Sequence, residues 1–390
     1  MESDTKVSIY FGPHSWFEKQ LGKEKRHYLL DTVNDYDEAK RRIRHTIEGQ
    51  ESTEIMTPTP RSDCLIVMSS DYASLQEHAI TNFIGLIRQI NPKHLILNNP
   101  PKMIYAQLVR AHNPAVEFYT YPAVTRDTLI KFRDGFSQHL VGQQKVREQM
   151  LAALYPLTKE GRTRPIVLMF YGPSGVGKTE TAKFINGLLG GELLRKQFSM
   201  FHSDKFASYV FGGTHSESSF ARDLLDRSSG VILIDEFDKA NLVFHRAFYE
   251  IFDQGIFEDK NYRVKIGPTL IICTSNYGSE DEIRLALGDA LYSRFDALIR
   301  FEPLSPDEIR QVINRMVDNH VDNLSADEQA ILERDEIKSK FDAHTGRYGN
   351  VRELGKLVEE VISVYLVRAM LTEVTTCNNP VLLKNEESAK

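Results

Sequence analysis

Apolar residues enter this chain in short blocks. VSIYF (Val7–Phe11), CLIVMSS (Cys64–Ser70), HLILNN (His94–Asn99) and VEFYTY (Val116–Tyr121) read as short buried strands. Between them, YDEAKRRIRHTIEG, LQEHAITNFIGLIRQI and PKMIYAQLVRAH space Ile, Leu and Ala as helices do. Strands alternating with helices predict a small α/β domain with a mainly parallel sheet. TPTPRS (Thr57–Ser62) is a turn-rich loop inside it. A second alternating series starts near Phe136, with strands expected at PIVLMFY (Pro165–Tyr171), GVILIDE (Gly230–Glu236), TLIICTS (Thr269–Ser275) and ALIRFEP (Ala297–Pro303). From Ser305 the pattern turns almost wholly helical: SPDEIRQVINRMV opens with a capping signal and VRELGKLVEEVISVYLVRAML is strongly amphipathic.

Composition changes this picture little. The chain has 390 residues, enough for two or three domains, with 41% hydrophobic and 26% charged residues, as in ordinary soluble proteins. A formal charge of −6 gives no general attraction to nucleic acid or membrane surface. Cys64, Cys273 and Cys377 stand far apart without metal-ligand spacing, which fits a reduced, cytoplasmic compartment. The start, MESDTKVSIYFG, lacks the pattern of a secretory leader, and no apolar run approaches the ~20 residues of a membrane helix.

The chemistry concentrates in the second series. GPSGVGKT (Gly172, Pro173, Ser174, Gly175, Val176, Gly177, Lys178, Thr179) matches G-x-x-x-x-G-K-[ST] between a strand and a helix pattern that opens with Glu180. Glycines let backbone N–H groups wrap phosphates, Lys178 would reach the β/γ-phosphates and Thr179 would hold Mg²⁺. VILIDE ends a buried strand in two acids: Asp235 would position Mg²⁺ and its waters, and Glu236 would polarise an attacking water. CTSN ends the next strand, and Asn276 could orient the same water. ATP with Mg²⁺ is therefore the expected ligand.

From about His139 to Val374 the chain resembles an AAA+ ATPase of the Clp unfoldase type. HLVGQQKVREQMLAAL, GPSGVGKTETAK, SGVILIDEFDKA, FYEIFDQGIFED, CTSN, DALYSRFDALIRFEPLS and GRYGNVREL follow in Clp order. The resemblance implies an α/β fold: a P-loop AAA+ module, with a parallel sheet, flanking helices and a helical lid, preceded by the small α/β domain. It implies a large nucleotide-binding subdomain at 126–303 and a lid at 304–376; the strand–helix alternation gives an N-terminal α/β domain at 1–125, which does not resemble the helical-repeat or zinc-binding N-domains of Clp unfoldases, and 377–390 is expected to be a flexible tail. The resemblance places Val141 and Gly142 beside adenine, the arginine finger on Arg294 and the second sensor on Arg352. In a ring, Arg294 can reach a neighbour's γ-phosphate and offset transition-state charge. The string Gly349-Asn350-Val351-Arg352 differs from the Gly-Ala-Arg of many Clp proteins and looks more like bacterial enhancer-binding activators. A hexameric ring or spiral of this chain is the implied assembly.

Two departures shape the functional expectation. Clp unfoldases carry a Gly-aromatic-Val-Gly pore loop before the second acidic strand. Here GGTHSES (Gly212–Ser218) stands there, shorter and with His215 as its only ring, a poor grip that leaves substrate threading an open question; Tyr209 and Phe211 are expected to pack inward. Ile84-Gly85-Leu86 resembles the peptidase-docking tripeptide but sits in an apolar-periodic helix of the first domain, so peptidase docking is not supported. KRRIRH (Lys40–His45) reads as a solvated helix face, and Ser69, Asp71, Asn98 and Asn99 could line a crevice at a sheet's carboxyl edge. The leading expectation is a Clp-like ATPase that remodels a protein partner recruited by residues 1–125. A slow, nucleotide-gated assembly switch is the second, and a DNA-handling ATPase a third.

Overall fold

The computed structural model describes residues 5–22, 26–34, 63–200, 204–240, 242–342 and 351–377. The expected helix at YDEAKRRIRHTIEG, the basic cluster within it, the TPTPRS loop and the KNEESAK tail lie outside these residues. Two five-stranded parallel sheets form the frame. The first has the order β2-β3-β4-β1-β5, built from Lys6–Phe11 (β1), Arg26–Tyr28 (β2), Cys64–Val67 (β3), His94–Asn98 (β4) and Ala115–Phe118 (β5). The helix after β1, His14–Gln20, packs Phe17 on Cys64, Ile66 and Ile96. The helices Glu77–Thr81, Phe83–Ile90 and Lys102–Ala111 cover the other face, against Val7, Ile9, Leu65, Val67, Leu95 and Leu97. Adjacent strands β1 and β4 are thus followed by helices on opposite faces.

The second sheet has the order β12-β6-β11-β8-β7: Ile166–Tyr171 (β6), Leu194–Gln197 (β7), Val231–Asp235 (β8), Leu270–Thr274 (β11) and Ala297–Arg300 (β12). Central β6 alternates its side chains between two cores. Val167, Met169 and Tyr171 join an aromatic-rich one with Phe220, Phe237, Phe248 and Phe257, whereas Ile166, Leu168 and Phe170 meet helices Arg126–His139, Gln144–Leu154 and Lys178–Leu189. Burial on both faces explains why this strand reads as an unbroken apolar run. A separate core joins the helices Pro306–Asp322, Arg334–Asp342 and Val351–Cys377 through Ile313, Val317, Val321, Ile337, Leu354 and Val358. Ser305 opens the first of them with a reciprocal capping box to Glu308.

Several sequence expectations need correction. VEFYTY is not a buried strand: β5 ends at Phe118, sits at the sheet edge and leaves Phe118 66% exposed. LQEHAITNFIGLIRQI forms two helices, because Asn82 leaves helical geometry (φ −123°, ψ 48°) and its side chain caps the second through the Gly85 amide. Among the elements that went unpredicted are β2, the polar edge strand β7, and the antiparallel hairpin of Ile256–Glu258 (β9) and Arg263–Lys265 (β10).

The two halves touch directly. Lys102 donates from Nζ to Glu258 (2.8 Å) and to the Asp259 carbonyl (2.8 Å), and from its amide to the Asn261 carbonyl. The His14 amide donates to Asp226, and Arg227 stacks over the Tyr121 ring at 3.8 Å.

Candidate functional site

The chain leaves β6 through a glycine-shaped bend. Gly172 (φ 128°), Gly175 (φ 79°) and Gly177 (φ 104°) all occupy positive-φ backbone that favours glycine. A side chain on Gly172 would drive into the Phe301 carbonyl, and one on Gly177 into Leu140. The bend feeds the helix Lys178–Leu189, so its amides surround a space at the carboxyl edge of the sheet. The backbone itself forms a cradle that side chains at Gly172 and Gly177 would crowd.

Lys178 is buried and spans this cradle. Its ammonium donates to the Gly172 carbonyl (2.7 Å), the Pro173 carbonyl (2.7 Å) and Oδ1 of Asn276 (3.2 Å). Burial lowers its pKa to about 8; the acids Asp238 and Asp235 oppose that shift, and the like charge of Arg352 adds to it. Lys178, Asn276 and Arg352 therefore share one neighbourhood, although 98 residues separate the first two. Asn276 follows β11, next to β6 in the sheet, which is how the fold brings it there.

Asp235 ends β8 and is buried. Its Oδ1 accepts the Thr274 hydroxyl, and its Oδ2 lies 3.4 Å from the Thr179 hydroxyl. The pairing of hydroxyl and carboxylate fits a small hard cation held at Thr179 and Asp235. Sequence reasoning missed Arg195, which donates to the same Oδ2 from Nε (3.0 Å) and Nη2 (2.5 Å). Glu236 adopts a left-handed conformation (φ 56°), which turns it away from the strand direction, and its amide donates to Thr274 Oγ1. Its carboxylate accepts from Nε2 of Gln197 at 3.1 Å, a second missed partner. Arg195 and Gln197 lie two residues apart on β7, so both project toward β8's acidic end; an acidic pair beside an unassigned polar strand was the only available signal.

The remaining candidates stand further out. Val141 is half-buried; Gly142 (φ 70°) lies against the Glu308 carboxylate, where a side chain would clash. Gln143 clamps the backbone of Glu302 through both ends of its amide, at 2.7 and 3.2 Å. This ties the segment before the helix Gln144–Leu154 to the entry of the helical C-terminal part. Glu180 is on the outer face and pairs with Lys183. Arg294 is not at the cradle: it pairs with Asp253 (2.8 Å), donates to the Ala290 carbonyl and lies over the Tyr249 ring at 4.5 Å. Arg352 is exposed in the first turn of Val351–Cys377, and Gly349 and Asn350 lie outside the described residues.

The segment that led to the pore-loop expectation is more specific than polarity suggested. Tyr209 is buried, with its hydroxyl on Asp223 and its ring beside Lys196 at 5.7 Å. Phe211 is not packed inward: it ends the helix Asp204–Phe211 and is 43% exposed. The two side chains are about 200° apart around that helix, so one core cannot take both. The loop after it lines a space that it shares with Ser69 and Asn99 of the N-terminal half. Asn261 donates to the Gly213 carbonyl and accepts the Lys102 amide, and Glu77 acts electrostatically on His215. Ile84, Gly85 and Leu86 sit within the helix Phe83–Ile90.

A parallel sheet of this order, with a glycine cradle on its first strand and an acidic pair on a neighbouring one, defines a P-loop nucleotide-binding module. Residues 164–318 match the family model described as the AAA domain (Cdc48 subfamily). Over this region the chain carries an AAA+ module similar to those of Clp-type proteins. It is 28% identical over 283 residues to a ClpA homolog protein of Fuscovulum blasticum, covering 63% of this chain and 35% of that protein. The chaperone protein ClpB of Staphylococcus epidermidis is 26% identical over 285 residues, covering 64% and 33%. The ATP-binding subunit ClpC of the ATP-dependent Clp protease of Staphylococcus saprophyticus is 26% identical over 282 residues, covering 61% and 34%. The alignments thus span about a third of the length of these relatives. In fold, a solved chain from a closed-state reconstruction of Hsp104 with ATPγS and FITC casein overlays with a TM-score of 0.54 at 13% identity, covering 94% of this chain and 89% of that one. Among the described residues no helix is long and apolar enough to cross a membrane.

Proposed function

We propose that this chain binds Mg–ATP in the Gly172–Thr179 cradle and hydrolyses it at the interfaces of a ring or spiral of its own copies, to remodel a protein partner engaged by residues 1–125. One observation carries the reading: Lys178, Asn276, Thr179, Asp235 and Glu236 converge at one edge of one sheet. In this reading Lys178 leaves its carbonyl partners for the phosphates, and Val141 and Gly142 flank the base. Thr179 and Asp235 hold Mg²⁺, which supplies charge neutralisation on the phosphates. Glu236 takes the proton of an attacking water once Gln197 yields its carboxylate, and Asn276 orients that water. Arg294 acts across a subunit boundary after releasing Asp253. Residues 126–303 form the large subdomain and 304–376 the lid, with Arg352 coupling lid angle to the γ-phosphate.

The test is ATPase rate beside nucleotide binding. Glu236→Gln should keep binding and trap the oligomer, while Arg294→Ala should keep binding and abolish turnover. Unchanged turnover in either variant would sink the assignment. The second reading, a nucleotide-gated assembly switch, is favoured by the short Gly212–Ser218 loop, which lacks an aromatic grip and whose Ser216 and Ser218 line a cleft shared with Ser69 and Asn99 of the N-terminal half. ATP-dependent unfolding of a tagged reporter separates the two: ample ATPase without unfolding selects the switch.

A further inference from the structure

The two halves enclose a polar cleft of about 280 Å³. One wall is the carboxyl edge of the first sheet, where Ser69 follows β3 and Asn99 follows β4. The other wall is Ser218, Ser219, Arg222 and Tyr262 of the ATPase module. In open parallel sheets, ligands bind outside the carboxyl ends of strands, where neighbouring strands send their helices to opposite faces. Strands β1 and β4 meet that condition. Asn99 plugs the crevice between them, with its amide donating to the Gly12 carbonyl and accepting the Gly12 amide. The open space therefore lies further out, against the second half.

The groups that face this space are mainly donors. The Arg222 guanidinium contacts only the carbonyls of His215 and Glu217, at 3.5 and 3.4 Å, and pairs with no carboxylate among the described residues. The Tyr262 hydroxyl has no hydrogen-bond partner among the described residues; burial is the main cause that pushes its pKa up to about 12, so it keeps its proton. Serine hydroxyls at 69, 218 and 219 add further donors. Of the two acids on the wall, Asp223 is neutralised by Lys196 at 2.7 Å and takes the Tyr209 hydroxyl, and Asp226 accepts the His14 amide at 2.8 Å. Next to the cleft, the buried Nδ1 of His215 and the hydroxyl of Tyr72 lack partners in the described structure. A guanidinium that pairs with no carboxylate directly, ringed by hydroxyl donors, is the donor set that recognises an oxyanion, although Asp226 keeps its negative charge on the same wall.

We propose that this interdomain cleft binds a small oxyanion-bearing ligand, a phosphate ester or carboxylate, held by Arg222 and Tyr262. Ser69 comes from the first half and Arg222 and Ser218 from the second. Occupancy therefore fixes the 214–219 loop against the N-terminal sheet. The site is separate from the glycine cradle and does not depend on how that cradle is used.

The experiment uses the full chain carrying Lys178→Ala, which removes the cradle's cationic phosphate ligand. Inorganic phosphate, and acetate as the carboxylate arm, are titrated by calorimetry, with amide hydrogen exchange followed over residues 214–222. One-site binding with slowed exchange in that segment is expected, and whichever probe binds more tightly identifies the ligand's acidic group. Adding Arg222→Gln should weaken binding by about tenfold or more, as loss of a charge-assisted contact does. Tyr262→Phe, which keeps the buried ring, should weaken it several-fold and covers the case in which Arg222→Gln fails to fold. Neither probe changing exchange in this segment would overturn the proposal, as would a folded Arg222→Gln chain that binds as its parent does.

Discussion

Arg195 occupies the Oδ2 atom of Asp235 that Mg²⁺ and its waters need in the proposed nucleotide state. Replacing it with methionine keeps the apolar stem and removes the charge. Charge-assisted hydrogen bonds contribute roughly 1.5–3 kcal/mol. The Arg195 side chain is 38% exposed, so solvent screening sets the lower end, about 1.5 kcal/mol. That interaction is present without ligand and broken with Mg²⁺ bound. Arg195→Met should therefore destabilise the ligand-free chain by about 1–1.5 kcal/mol and tighten Mg²⁺-dependent ATPγS binding about tenfold. Titrating Mg²⁺ at fixed fluorescent ATPγS reads the second effect directly, and thermal melts without nucleotide read the first. Arg195→Lys should fall between the two, because it keeps a point charge without the fork. A half-saturating Mg²⁺ concentration that stays the same or rises would refute the reasoning, since Arg195 would then remain at the site when metal binds.

Three further outcomes follow from the same geometry. Lys178 titrates near pH 8 in the ligand-free chain, below its ordinary 10.5, chiefly through burial; the folded chain thus binds fewer protons than the unfolded one between about pH 8 and 10.5, and this group's contribution to stability rises with pH across that window. Phosphates favour its charged form, so ATPγS binding should take up a proton above about pH 8 and weaken as pH climbs further, seen by calorimetry in buffers of different ionisation enthalpy; pH-independent affinity from 7 to about 9.5 would contradict the burial argument. Gly172→Ala should cost about 2 kcal/mol or more by urea unfolding, because positive φ and the Phe301 carbonyl both oppose a side chain; a neutral result would mean the strand end can shift. Tyr209→Ala should cost about 3–5 kcal/mol, as large buried rings do, whereas Phe211→Ala should cost well under half of that; a folded Tyr209→Ala chain that fails only in substrate processing would make Tyr209 the gripping residue.

The strands most plainly legible in sequence are those buried on both sides, although the edge strand ALIRFEP was legible too. PIVLMFY, VILIDE and TLIICTS are central strands with no solvent face, so their apolar runs are continuous. The P-loop was legible because three glycines at fixed spacing have one backbone use in that context. β7, LRKQ, was illegible for the opposite reason: it pairs on one side only, and its Arg195 and Gln197 point at acids that the chain reaches about 40 residues later. No local pattern announces a cation on an edge strand as the partner of a distant carboxylate. Phe211 was misread because loop polarity was weighed without the helix ending at it, which sets its direction.

The contacts between the halves bear on the choice between a threading motor and a switch. Lys102 makes three polar contacts to the β9–β10 turn, the His14 amide holds Asp226, and Arg227 stacks under Tyr121. At about 0.5–1.5 kcal/mol for each net hydrogen bond, such a set holds the N-terminal half in place without making its release prohibitive. The Gly212–Ser218 loop shares this interface through Asn261, which bonds both Gly213 and Lys102. Through Asn261 the loop is coupled to the N-terminal half rather than bonded to it, and an oxyanion in the adjoining cleft, lined by Ser69 on one side and Ser216 and Ser218 on the other, would strengthen that coupling. The arrangement links the position of this loop to the state of the N-terminal half, in addition to the loop's lack of an aromatic grip.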